Sequence, residues 1–123
     1  MKLDFDLVRA ILITVEESPP NSDAGTIFVE GYDEDTILEH LALLEEAGLL
    51  HASFLKVEDS DKRIYAAEVE RLTWDGHQFL ANARNDEVWN RTKAAVAEKG
   101  GSVSFDIFSA ILTQFALKLF GIG

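Results

Sequence analysis

These residues predict an α+β fold, mostly helical, with one two-stranded ribbon near the middle, and three observations carry that expectation. Four segments repeat apolar residues every three or four positions behind a capping side chain, as amphipathic helices do, and a fifth opens on a capping hydroxyl followed by an early Asp. Two β-rich runs, 49–57 and 64–72, are separated only by Glu58-Asp59-Ser60-Asp61-Lys62-Arg63, a polar connection short enough for a loose hairpin. The 123 residues are 47% apolar and 27% charged with no cysteine, so a core of ordinary size must hold the chain without disulfides or thiolate metal sites.

In chain order, residues 4–17 place Phe5, Val8, Ile11, Leu12 and Val15 on one helical face with Asp4 as N-cap. Ser18-Pro19-Pro20 stops that helix, because proline cannot donate to the ladder and biases its predecessor away from helix. Thr26-Ile27-Phe28-Val29, bounded by Gly25 and Gly31, reads as a brief strand. Asp33 caps a second helix whose first turn holds Glu34 and Asp35, where a helix dipole favours carboxylates. At about 100° per residue its inner face is Ile37, Leu38, Leu41 and Leu44 and its outer face Asp35, Glu39, Leu43 and Glu46, with His40 at the side. Gly48 suits the left-handed position that closes it.

After the ribbon, Thr73 caps a helix beginning Trp74-Asp75-Gly76, and Asn85 caps another carrying Val88, Trp89, Thr92 and Val96, ended by Gly100-Gly101. The last helix begins near Ser104 and repeats Phe105, Phe108, Leu112, Phe115 and Leu119 at spacings of three and four. It either closes the core or forms a seam between two copies. A second apolar row, Ile107, Ile111 and Phe120, exceeds one face and favours a homodimer.

Charge is distributed more tellingly than its total of −11. No Lys or Arg lies between Arg9 and Lys56, an interval holding Glu16, Glu17, Asp23, Glu30, Asp33, Glu34, Asp35, Glu39, Glu45 and Glu46. Non-specific affinity for nucleic acid comes from cations replacing counterions on phosphates, so this interval repels a duplex. Lys56, Lys62 and Arg63 near the hairpin tip are candidate phosphate contacts, but Glu58, Asp59 and Asp61 nearly cancel them. His40, His51 and His77 sit on three different elements without ligand spacing, and no pair of carboxylates is singled out; no metal, cofactor or catalytic residue is assigned. The beginning Met1-Lys2-Leu3-Asp4-Phe5-Asp6 lacks the pattern of a secretory signal, and the uncharged run from Ile107 to Leu117 is about half of the roughly 20 residues a membrane span needs. A cytoplasmic protein without membrane contact is expected.

Two motifs carry a likeness. Glu39-His40-Leu41-Ala42-Leu43-Leu44-Glu45-Glu46-Ala47-Gly48-Leu49-Leu50 and Arg71-Leu72-Thr73-Trp74-Asp75-Gly76-His77-Gln78-Phe79-Leu80 resemble the recognition-helix end and the post-wing helix of winged-helix regulators. The chain as a whole, from Leu3-Asp4-Phe5-Asp6-Leu7-Val8-Arg9 through Gly31-Tyr32 and Trp89 to Lys99-Gly100-Gly101-Ser102, looks like the bacterial, prophage-associated family called domain of unknown function 2513. That resemblance implies a winged-helix-like domain over 1–84 with a C-terminal helical extension over 85–123, packed on it as one unit or forming the dimer seam, in a phage or mobile-element context. It implies no activity.

The sequence departs from a DNA-binding winged helix in two places. Only Glu30, Gly31 and Tyr32 separate Val29 from Asp33, too few for the usual positioning helix. The outward side chains of the helix in the recognition position include no Arg, Lys, Asn or Gln to read a purine edge. The expectation is therefore a non-catalytic acidic module that binds a protein partner through Asp35, Glu39, His40, Leu43 and Glu46, with Leu43 either a lone exposed leucine or the apolar centre of that surface. The alternatives are a transcriptional regulator touching DNA through Lys56, Lys62 and Arg63, and an acidic mimic of nucleic acid that occupies a DNA-binding protein.

Overall fold

The computed structural model describes residues 1–122 and shows five helices and one two-stranded antiparallel sheet. Helix α1 spans Phe5–Glu16: the Asp4 carboxylate accepts the Leu7 N–H at 3.1 Å, and Leu7, Val8, Ile11, Leu12 and Val15 face the core. Helix α2 spans Glu34–Glu46, capped by Asp33, which accepts the Thr36 N–H at 2.7 Å. That main-chain bond, reinforced by the Thr36 side chain, holds the Asp33 carboxyl below the usual carboxylate range. At its other end Gly48, with φ of +76°, lets the Gly48 N–H reach the Glu45 carbonyl at 3.0 Å and the Leu49 N–H reach that of Leu44 at 2.9 Å. Both bonds close a Schellman motif, which needs a left-handed residue and hence favours glycine.

Strand β1 spans Leu50–Leu55 and β2 spans Ala66–Leu72, each shorter than the run that predicts it. Leu50 faces Leu72 and Leu55 faces Ala66, with the register slipping by one between His51 and Ala52. This bulge adds an unpaired residue on the β2 side and so keeps Val69 and Leu72, on either side of it, both pointing into the core.

The strand expected at Thr26–Val29 does not form. Its pairing shrinks to a single bridge in which Gly25 and Val69 exchange both main-chain bonds at 2.8 Å. Beyond Gly25 the chain has four residues before it must bend through the turn that links the Tyr32 N–H to the Val29 carbonyl and leads into the α2 cap. Ile27 is drawn into the core on the way and Phe28 is left outside, so the segment leaves the edge of β2. The interval from Val29 to Asp33 is a turn, with no helix in it.

The two sequence motifs prove to be halves of one joint. Helix α3, Trp74–Ala83, starts against the end of α2: the Thr73 N–H donates to the Leu49 carbonyl at 3.1 Å and the Thr73 hydroxyl to that of Gly48. The same hydroxyl oxygen accepts the Gly76 N–H at 3.0 Å, capping α3. Gly76 is required for closeness, since a Cβ there would stand 2.0 Å from the Leu49 carbonyl oxygen.

The chain divides into two compact units, Met1–His77 and Gln78–Gly123, with the boundary inside α3. In the second unit α4, Asp86–Glu98, is capped by Asn85, and α5, Phe105–Leu119, by Ser104. Trp89 meets Phe108 edge-on at 5.1 Å between ring centroids, and Phe79 meets Phe105 at the same distance. The row expected as a dimer seam is therefore largely used inside the chain. Phe108 and Leu112 are each 1% exposed, Phe105 and Phe115 are half-buried, and only Leu119 of the five is outward. Beside Leu119, the exposed large apolar residues of this segment belong to the second row and the tail, Ile107, Phe120 and Ile122, while Ile111 is half-buried.

Candidate functional site

The outer face of α2 is built by helical geometry acting on a charged sequence. Burying Ile37, Leu38, Leu41 and Leu44 against α1 and the ribbon obliges Asp35, Leu43 and Glu46 to face solvent, with Glu39 half-exposed beside them. Leu43 is 36% exposed, flanked by Glu46 one turn on. These four lie where the sequence puts them.

His40 does not. It is fully buried, and its ring bridges two elements: Nε2 accepts the Asp4 N–H at 2.9 Å, and Nδ1 lies 2.9 Å from the Thr36 carbonyl. A carbonyl can only accept and a main-chain amide can only donate, so these partners require the neutral Nδ1–H tautomer. The helical wheel sets His40 at the border of the apolar face; the neighbouring N-terminus of α1, which the wheel cannot see, turns that border into interior. His40 is thus a structural residue, and the candidate surface consists of Asp35, Glu39, Leu43 and Glu46.

Asp4 is the centre of this half-buried polar joint, a role beyond its place as a cap. Besides capping α1 it accepts the Tyr32 hydroxyl at 2.8 Å through its other oxygen. That hydrogen bond, with partial burial and the nearby charges of Asp4 and Asp6, pushes the Tyr32 phenol up to about 12. Asp4, Tyr32, Thr36 and His40 consequently tie α1, the turn and α2 together. Nothing in the linear spacing of 4, 32, 36 and 40 signals it, although the i to i+4 step from Thr36 to His40 is compatible with one face of a helix.

The loop between β1 and β2 folds back on the acidic helix. Lys62 Nζ stands 3.3 Å from Asp35 and Arg63 3.4 Å from Glu39, so two of the three cations offered for phosphate contact neutralise two of the carboxylates offered for a protein partner. The loop is organised to do this: the Ser60 hydroxyl donates to the Tyr65 oxygen at 2.7 Å and accepts the Lys62 N–H at 3.0 Å, and Lys62 lies over the Tyr65 ring. Lys56, the third cation, is exposed. Pairs this open to solvent contribute below about 1 kcal/mol each, but they cancel charge locally. Among the described residues, the carboxylates of the C-terminal half of α2, Glu45 and Glu46 beside Leu43, form no ion pair with a loop cation.

His51 and His77 are exposed and lie on β1 and α3. Among the described residues no three His, Asp or Glu side chains converge as a metal-binding group would, and no helix is long and apolar enough to cross a membrane.

The fold and this surface define a class: an α+β protein of five helices and a two-stranded sheet that presents a charged helix packed beside a hairpin loop. The chain belongs to the family described as Hypothetical protein (DUF2513), whose model matches residues 2–102. A protein of Haemophilus influenzae described as an uncharacterized protein is similar to it, 32% identical over 114 residues, covering 90% of this chain and 92% of that relative. No solved structure matches the chain. The family match ends before α5 begins.

Proposed function

We propose that the protein is a non-catalytic, winged-helix-like interaction module, of phage or mobile-element context, that binds another protein through the outer face of α2, centred on Leu43 with Glu46 beside it. One observation carries this reading: the element in the recognition position bears no cation, and Lys62 and Arg63, which could have supplied phosphate contacts from the loop, are paired with Asp35 and Glu39. A duplex approaching this side meets carboxylates and self-neutralised pairs, and the counterion-release term that drives DNA binding is small. A protein partner meets an apolar centre rimmed by acidic residues, the arrangement of an interface with an anchor and a polar rim.

The winged-helix likeness is supported by the joint between Gly48–Leu49 and Thr73–Gly76 and by the ribbon directly after α2. The test is capture from lysate by the wild-type chain beside Leu43→Asp and Glu46→Lys. A partner retained by the wild type and lost by both variants is the expected result. Tight binding to ordinary duplex at physiological salt, with a steep salt slope and loss on Lys62→Ala or Arg63→Ala, sinks the reading in favour of a DNA-binding regulator.

A further inference from the structure

The place where the third strand fails to form leaves a groove. Thr26, Ile27 and Phe28 form one wall, Ala66 and Ala67 of β2 the other, and Ile37, Leu38 and Leu41 of α2 contribute the apolar lining of a space of about 370 Å³. Ladder alternation gives this wall a second property. Val69 turns both main-chain groups away from β1 to Gly25, so Ala67, two residues earlier, turns its N–H and C=O to the same side. The pairing on that edge stops at Gly25–Val69 among the described residues, and Thr26–Val29 form no ladder with Ala67. Phe28, 74% exposed, stands at the rim.

We propose that this groove binds an extended peptide of alternating apolar and basic residues, which adds as a short strand to the free edge of β2 at Ala67 and lays an apolar side chain against Phe28 and Ile37. Main-chain pairing supplies affinity and the side-chain recess supplies selectivity, as in strand addition generally. Charge selects the occupant. Glu34 lines the groove, Glu30 and Asp33 flank it in the chain, and Glu68 is exposed on the adjacent strand position. Two copies of this chain pairing edge to edge would bring these carboxylates together, and a nucleic acid would face them with phosphates. A lysine-bearing peptide relieves them. The proposal rests on the reading of the protein as an interaction module but assigns the peptide to a surface other than the outer face of α2.

The test is a titration of the full-length, ¹⁵N-labelled chain with a short acetylated peptide alternating lysine and valine, followed by amide shifts and hydrogen exchange. Shifts at Ala67 and Thr26–Phe28, slowed exchange of the Ala67 amide, and about tenfold weaker binding of the same peptide N-methylated at alternate residues are expected. Phe28→Ala and Glu34→Gln, the second removing the charge without placing a cation at the helix N-terminus, each weaken it by about tenfold. Absence of binding, equal binding of the N-methylated peptide, or indifference to Phe28→Ala overturns the groove. Shifts confined to Leu43 and Glu46, abolished by Glu46→Lys, also overturn it while leaving the α2 surface standing. Groove shifts that persist in Leu43→Asp support the groove even if the capture experiment fails.

Discussion

At the scale of single residues, Asp4 carries more of the structure than its place before the first helix suggests. It caps α1, accepts from Tyr32 and donates its main-chain N–H to buried His40. Asp4→Ala removes the cap and leaves the Tyr32 hydroxyl without its acceptor, and it should lower stability by about 2 kcal/mol in urea unfolding. Asp4→Asn, which keeps one oxygen for the Leu7 N–H but puts a donor-only amide nitrogen in place of the oxygen that accepts from Tyr32, should recover only the cap's share of that. Tyr32 gives the joint a pH signature. Its folded value, about 12, exceeds its ordinary 10.0, so the stabilisation exists below the unfolded value and is lost as pH rises from about 10 through about 12. In a tyrosinate absorbance titration one phenol should therefore ionise late, and Tyr32→Phe should abolish that late component; a Tyr32 that titrates at its ordinary value refutes the bond. His40 teaches the limit of a helical wheel, since its burial depends on α1 lying across it.

At the scale of elements, the joint between the α2 terminus and the α3 start brings main chain close against main chain at Gly76 and Leu49. Gly76→Ala would force a methyl group onto the Leu49 carbonyl, and because the obstacle is backbone it should destabilise by about 3 kcal/mol, read as a lower urea midpoint with unchanged m-value. The ribbon loop behaves differently. Neutralising Lys62 and Arg63 together should shift stability by less than about 1 kcal/mol, because both pairs are open to solvent. It should however make the outer face of α2 more acidic, visible as faster association with a polycation at low salt; an unchanged rate would show that the pairs do not govern that surface. The lost strand belongs to this scale too. Thr26–Val29 has strand composition, yet four residues must also reach the Asp33 cap, and connection length overrides propensity.

At the scale of the whole molecule, 22 acidic against 11 basic residues set the balance between self-repulsion and local pairing. Added salt screens both, but repulsion over the cation-free interval from Arg9 to Lys56 involves more charges than the exposed pairs. The midpoint of thermal unfolding should therefore rise between low and about 1 M sodium chloride, and a fall would mean that the ion pairs dominate. In the second unit, Phe108→Ala should cost about 4 kcal/mol as a core cavity against Trp89, at any protein concentration, and a dependence on concentration would restore that residue to a dimer seam.

What the sequence determined by itself was local. Asp4, Asp33, Asn85 and Ser104 each accept from an N–H three residues on, and the inner faces of α1 and α2 are buried as their periodicity predicts, because capping and helical spacing act within a few residues of chain. The outer-face residues Asp35, Leu43 and Glu46 were legible for the same reason. Only the tertiary structure decided what each element met. It buried His40 under α1, turned Phe108 and Leu112 inward on α5, drew Lys62 and Arg63 onto the acidic helix, and cut the first strand to one bridge beside a groove. Each depends on residues twenty or more positions apart, or on what packs against a face, and one-dimensional periodicity states which side of an element is apolar without stating what lies across from it.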